Sequence, residues 1–279
     1  MIWPHASIKH PCPICGKPDW CSFGDKVVKC QRVESEFACE TGGWYHPYSE
    51  VRSIKPVSFP KSRAQATLRD ADGMLACWRA TTLPSQISKL SADLGVSCWS
   101  LNAIRASWSP RFNAWAFPMY DGSLPSACIG IRLRAENGFK WAVAGSRGGI
   151  FIPNDNVPIQ PICFLPEGPT NTAALLSIGL YAIGRPNCGS GWEILKQALV
   201  ARKIYKAVII GDNDEMKDFN GRRGRPGIEG AERLKKELNI NSVIWIPPTP
   251  CKDVRDFVQR GGTKQLVESL IRQKVWTKK

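Results

Sequence analysis

Two apolar runs that each end in acidic residues constrain this chain most. Ile162-Cys163-Phe164-Leu165 leads into Pro166-Glu167-Gly168, and Ala207-Val208-Ile209-Ile210 leads into Gly211-Asp212-Asn213-Asp214. Thr170 to Gly179, between them, has a helical pattern. Short continuous apolar runs separated by a helix read as strands of a parallel α/β sheet, buried on both faces. A βαβ crossover sets both C-terminal ends on one edge, where such sheets bind ligands. Glu167, Asp212 and Asp214 then converge. Like charges at close range repel unless a cation lies between them. Mg²⁺ suits that role, because it takes carboxylate oxygens together with substrate phosphates.

The 279 residues carry 38 Lys+Arg against 24 Asp+Glu, a formal net charge of +14. A surface this basic favours a polyanion, nucleic acid before membrane. No apolar run reaches transmembrane length and no signal peptide is evident, so a cytoplasmic protein is expected. Of the eleven cysteines, five fall between residues 12 and 39. That clustering points to a reducing compartment and a metal site, not a disulfide framework. The others, such as Cys77, Cys163 and Cys188, lie in apolar surroundings and read as small core residues.

Cys12-Pro-Ile-Cys15-Gly16 is a zinc knuckle by its spacing. Ser22 to Lys29 reads as a hairpin around Asp25-Lys26, which brings Cys30 back beside the knuckle. A structural zinc takes four ligands. Cys12, Cys15 and Cys30 supply three, and Cys39, Cys21 and His46 are open for the fourth. So short a segment has little core of its own, and zinc binding would be its folding energy. Pro47 to Arg63, with Pro56, Pro60 and no apolar periodicity, reads as a tether.

From Ala64 to Leu101 the pattern is amphipathic and helical, with Leu83, Ile87, Leu90 and Leu94 in register and a break before Pro84. Short alternating runs follow around Trp108, Trp115 to Met119, Cys128 to Arg134 and Lys140 to Val143. Turns at Asp121-Gly122 and Asn137-Gly138 predict a small antiparallel sheet. Arg132 and Arg134 share one strand face, Lys140 starts the partner strand and Arg147 occupies the next turn. Such a row can track a phosphate backbone. Trp115 and Trp141 are expected in the core, with base stacking the alternative. Further on, Thr170 is expected as a helix N-cap. Tyr181 to Gly184 is expected as a strand, Trp192 to Arg202 as a helix, and Glu215 to Gly227 as a basic loop with Arg222, Arg223 and Arg225. Ile228 to Leu238 reads as a helix and Ser242 to Ile246 as a strand.

A strand ending in Glu167-Gly168, a helix, and a strand ending in Asp212-x-Asp214 resembles the TOPRIM domain. Lys252-Asp253-Val254-Arg255-Asp256 resembles the Lys-Asp-x-x-Asp segment of bacterial and phage primases. The cysteine segment resembles the primase zinc-binding domain. There Val33 stands where the last Cys of the family's second Cys-x₂-Cys would be, and Cys39, which precedes the Gly42-Gly43 pair, is the expected fourth ligand. The resemblance covers nearly the whole chain. It implies an α/β fold class in the order zinc ribbon (1–48, a small β unit), linker (49–63), α+β basic subdomain (64–158), then the TOPRIM α/β sheet and C-terminal helices (159–279).

The resemblance also implies a function. The chain would be a DNA primase of the compact phage or mobile-element kind, making RNA primers on single-stranded DNA from ribonucleoside triphosphates. One structural Zn²⁺ and catalytic Mg²⁺ or Mn²⁺ would be its cofactors. Asp212 and Asp214 would hold the catalytic metal, with Asp253 or Asp256 completing the shell. Glu167 would touch metal or serve as general base. Arg222, Arg223 and Lys252 would neutralise the triphosphate. No Gly-x₄-Gly-Lys-Ser/Thr loop is present, so a separate replicative helicase is the expected partner, at the nucleoid of a bacterial or phage-infected cell. A non-catalytic DNA-binding or partner-recruiting protein, or a metal-dependent nuclease, are the alternative functions of the same residues.

Overall fold

The computed structural model describes residues 3–7, 10–24, 26–39, 42–47, 70–219, 222–272 and 274. The expected tether at 49–63, the start of the 64–101 helical pattern and Asp25 of the first hairpin lie outside the described residues.

The N-terminal segment forms a four-stranded antiparallel sheet. Its strands are β1 (Ser22–Phe23), β2 (Val27–Cys30), β3 (Phe37–Ala38) and β4 (Trp44–Pro47), in the order β1-β2-β4-β3. Three helices follow, α1 (Ala71–Thr81), α2 (Pro84–Leu94) and α3 (Cys98–Ala103). Ile87, Leu90 and Leu94 of α2 are buried as the 3.6-residue period demands, whereas Leu83 precedes the helix and is exposed. The predicted antiparallel sheet is β5 (Ser107–Ser109), β6 (Ala114–Tyr120), β7 (Cys128–Arg134) and β8 (Lys140–Ala142), in sequential order. Gly138 closes the β7–β8 turn at φ 86°, a left-handed conformation that glycine adopts at no steric cost.

The parallel sheet has β9 (Ile162–Leu165) and β13 (Asn241–Trp245) on either side of β10 (Lys206–Ile210). Residues 181–185 add a further parallel line beside β9 through the Phe164–Ala182 and Glu167–Arg185 bridges. Single antiparallel bridges, Phe151–Gly184 and Tyr120–Ile150, then tie this sheet to β6. The helices are α4 (Gly168–Ser177), α5 (Trp192–Ala201), α6 (Pro226–Leu238), α7 (Val254–Gln259) and α8 (Lys264–Arg272).

Alternation along the strands divides the core. Phe164, Val208, Ile210, Val243 and Trp245 pack with Val254, Phe257, Val267 and Ile271 of α7 and α8. Cys163, Leu165, Ala207 and Ile209 face Leu195 of α5 and Ala231 and Leu234 of α6. Both faces are covered, which is why these strands read as unbroken apolar runs. Among the described residues no helix is long and apolar enough to cross a membrane.

Several expectations change. Glu215 to Gly227 is not a plain loop: β11 (Lys217–Phe219) and β12 (Arg222–Gly224) pair as a hairpin, and α6 already starts at Pro226. Thr170 is not an N-cap. Glu167 holds that position, and Thr170 is buried inside the first turn of α4. Cys163 is buried as expected, but Cys77 is exposed on α1. Trp115 is buried, whereas Trp141 is half-buried and stacks on Phe139 with centroids 5.5 Å apart.

Candidate metal centres

The β1–β2 hairpin pairs Ser22 with Lys29 and Phe23 with Val28. One step further along the same register stand Cys21 and Cys30. The ligand atoms of Cys12, Cys15, Cys21 and Cys30 all lie within 4.8 Å of one another. Cys15 and Cys21 sulfurs are 3.6 Å apart and those of Cys21 and Cys30 4.0 Å. A tetrahedral zinc with Zn–S of about 2.3 Å sets sulfurs about 3.8 Å apart, so the donor set fits one zinc ion. The knuckle turn is closed by the Gly16 amide donating to the Cys12 carbonyl at 2.8 Å. The Arg32 and Val33 amides each donate to the Cys30 sulfur at 3.4 Å. The Arg32 guanidinium approaches the Cys15 and Cys21 sulfurs at 3.8 Å and pairs with Asp19 at 2.8 Å. Neighbouring thiols push the Cys15 pKa down and those of Cys21 and Cys30 up, because four groups this close cannot all ionise unaided.

This corrects the fourth ligand. Cys39 is not in the cluster; its sulfur donates to the Tyr45 hydroxyl at 3.0 Å. The His46 Nε2 meets the Val33 carbonyl at 3.0 Å. Cys21 completes the set. The sequence signal was the hairpin itself, carried one residue pair further.

The second centre is the C-terminal edge of the parallel sheet. Glu167 lies two residues past β9, Asp212 two residues past β10, and Asp253 follows β13 as the N-cap of α7. Asn213 fastens two of these loops: its amide donates to the Lys252 carbonyl at 2.7 Å and its Nδ2 to the Cys251 carbonyl at 3.3 Å. An edge-to-face contact between Trp245 and Phe257, 5.3 Å between centroids, fixes α7 on β13; such pairs contribute about 0.5–1.5 kcal/mol beyond area burial.

Burial raises the Glu167 pKa, opposed by Arg185, Lys140 and Arg132. Asp212 is pushed up to about 7, first by burial and then by Glu167 and Asp253. Its Oδ1 is buried and has no hydrogen-bond partner. A buried carboxylate oxygen in that state costs free energy until a cation reaches it. An all-oxygen donor set of this kind suits Mg²⁺ or Mn²⁺. Asp214 also accepts from the Gly227 amide at 3.1 Å, in the first turn of α6. Only glycine fits there, because a Cβ on Gly227 would lie 2.7 Å from the Asp212 carbonyl oxygen.

Asp256 has both carboxylate oxygens engaged by protein donors. One carboxylate oxygen accepts from the Lys252 amide at 3.0 Å and the other from Arg260 Nε at 2.8 Å. The Lys-Asp-x-x-Asp spacing serves here as helix capping, with Asp253 Oδ1 accepting the Asp256 amide at 2.8 Å.

The basic row does face the acids. Arg134 and Lys140 are direct cross-strand partners on β7 and β8. Lys140 is coupled electrostatically to Glu167 and Asp253, Arg132 to Glu167, and Arg134 to Asp253. Arg147 is exposed and acts on Asp121 instead. Arg223 and Lys252 are exposed; Arg222 stands on β12, with its side chain outside the described residues. Sequence reasoning missed Arg185, which is 2% exposed and donates from Nη2 to the Ile210 carbonyl at 2.7 Å.

No family model matches the chain, and no curated protein matches it in sequence. Solved structures do. The DnaG catalytic core matches with a TM-score of 0.55 at 14% identity, over 74% of this chain and 79% of that one. A DnaG primase catalytic domain bound to single-stranded DNA matches at 0.53 and 13%, over 72% and 79%. The zinc-binding and RNA polymerase domains of Aquifex aeolicus primase match at 0.56 and 13%, over 74% of this chain and 60% of that one. At such identities the likeness is one of fold. The chain has the fold of the DnaG primase catalytic core, and its N-terminal sheet carries a four-cysteine cluster suited to one metal ion.

Proposed function

We propose that this chain is a DNA primase that copies single-stranded DNA into short RNA primers by metal-dependent nucleotidyl transfer. The observation that carries this reading is Asp212 Oδ1, buried and unpartnered at the edge where Glu167 and Asp253 meet it. In this reading residues 1–48 are a zinc-ribbon domain, 49–63 a linker, 64–158 the N-terminal subdomain of the core and 159–279 a TOPRIM domain with C-terminal helices.

Asp212, Asp214 and Asp253 would hold Mg²⁺ or Mn²⁺. When bound, such an ion would supply positive charge to the triphosphate and its pyrophosphate leaving group. Glu167 takes the proton of the primer 3′-hydroxyl as that oxygen bonds to the α-phosphorus and pyrophosphate leaves. Arg222, Arg223 and Lys252 neutralise the triphosphate. Arg132, Arg134 and Lys140 carry the template backbone past the acids. Ribonucleoside triphosphates are the substrates and single-stranded DNA the template, with a separate replicative helicase as partner at the nucleoid.

The test is primer synthesis. Purified protein is mixed with single-stranded DNA of mixed sequence, labelled nucleoside triphosphates and Mg²⁺ or Mn²⁺, with Asp212→Asn alongside. Short products that vanish in the variant support the reading. Shortened DNA in place of primers would replace it with a nuclease. Intact DNA and no products, with or without an added helicase, would leave a non-catalytic DNA-binding protein.

A further inference from the structure

The acidic edge contains a fixed positive charge to which the reaction above gives no task. Arg185 lies one strand over from Glu167 and pairs with it in a parallel bridge. Its bond to the Ile210 carbonyl anchors the guanidinium beneath the Asp212 loop. Its Nε and Nη1 are buried and have no partner. Among the described residues it makes no ion pair, yet its field reaches both Glu167 and Asp212. Burying a guanidinium is costly unless negative charge lies close by, and these two carboxylates are that charge.

Neutralisation across the edge is uneven. Glu167 lies in the field of Arg185, Lys140 and Arg132, set against Asp214 and Asp212. At Asp212 the charge of Arg185 is set against Glu167, Asp253 and Asp214. The demand for a further cation lies at Asp212, whose Oδ1 is buried and unpartnered, whereas Arg185 already stands across the parallel bridge from Glu167.

We propose that Arg185 stands in for a second metal ion: it is the permanent cation of the Glu167 half, and the site binds one divalent ion, at the Asp212 half. Sites for in-line displacement often use two metals, one on each reacting oxygen. Here a side chain supplies half of that charge and cannot exchange with solvent. Arg185 is a positioning residue in this scheme, since it acts through Glu167 and Asp212. The proposal rests on the metal-site reading above, and it is tested by counting ions, not by primer synthesis.

Zinc-loaded full-length protein is titrated with Mn²⁺. Free Mn²⁺ is counted by electron paramagnetic resonance and binding is followed by calorimetry. One Mn²⁺ is expected for the parent protein and for Arg185→Lys, which keeps the charge. Arg185→Gln, which keeps hydrogen bonding but not charge, should bind its first ion about tenfold more tightly, and should admit a second with a spin-coupled dimanganese signal. Two ions in the parent protein or in Arg185→Lys would overturn the proposal and leave the metal site standing. An unchanged single ion in Arg185→Gln would reduce Arg185 to a tie for the Ile210 carbonyl. No bound ion in the parent protein would overturn the metal site and the proposal together. If Arg185→Gln does not fold, the counts for the parent and Arg185→Lys decide.

Discussion

The two candidate metal centres are built by opposite means. The thiol cluster comes from one short segment, a knuckle and the open end of a hairpin, and its sulfurs already stand at zinc spacing. The acid cluster is assembled from three loops far apart in the chain, held together by a sheet edge and by Asn213. The first is closed, with backbone amides and Arg32 already donating to sulfur. The second leaves an acceptor unpartnered among cations that belong to the protein. A closed set of ligands stabilises a fold; an open set keeps its binding capacity for a substrate.

The largest effect should come from breaking the closed site. Cys21→Ser is expected to abolish stoichiometric zinc binding and unfold the N-terminal sheet, because structural zinc contributes about 10–16 kcal/mol in modules this small. Cys39→Ser should retain zinc, with its effect confined to the surroundings of Tyr45. Metal analysis and amide exchange on the two proteins read this directly. Zinc retained in Cys21→Ser and lost in Cys39→Ser would reverse the ligand assignment. The core beyond residue 70 should keep its melting transition in both.

Breaking the open site should do the reverse, with activity lost and the fold strengthened. Asp212→Asn is expected to lower primer synthesis by about a thousandfold or more. The same variant should be more stable than the parent in metal-free buffer at neutral pH. The sign follows from the raised pKa of about 7, caused first by burial. The protonated carboxyl is preferred in the fold. Its contribution is complete below the ordinary carboxylate range and is lost as pH rises through about 7. Melting temperatures of parent and variant should therefore diverge as pH rises from about 4 to about 7 and run parallel above that, and Mg²⁺ should close the gap by raising the parent. Parallel melting curves across that range would mean that Asp212 is not the strained group.

The same comparison explains what was legible in the sequence. Glu167, Asp212 and Asp214 announced themselves because acids at the ends of apolar runs mark a strand edge. Cys12, Cys15 and Cys30 did so by knuckle spacing. Cys21 was hidden because choosing among spare cysteines requires the strand register, and a motif has none. Arg185 was hidden because an arginine after a short apolar run looks like any solvent-facing turn, while the bridge to Glu167 buries it. The basic stretch from Glu215 looked like loop by composition, but its two short strands pair with each other and need no core. Pro169 was the missed signal for the start of α4, since proline favours the first helical turn.

The smallest effects should separate Asp253 from Asp256, which the Lys-Asp-x-x-Asp spacing leaves equivalent. Asp253 adds its charge to the field at Asp212. Asp256 has both oxygens engaged on its own helix and on the Lys252 amide. Asp253→Asn keeps capping ability but removes the charge, so it should weaken Mn²⁺ binding with little change in melting temperature. Asp256→Ala should leave Mn²⁺ affinity within about twofold and cost about 1 kcal/mol of stability, a few degrees of melting temperature. Asn213→Ala belongs between them: it removes the Nδ2 bond to Cys251 but keeps the backbone bond to Lys252. Its loss of about 1 kcal/mol should appear mainly in metal affinity, because the strap sets the distance from Asp212 to Asp253. Calorimetric titration of the three variants ranks them, and a larger metal defect in Asp256→Ala than in Asp253→Asn would mean that α7 presents its second acid, not its N-cap, to the ion.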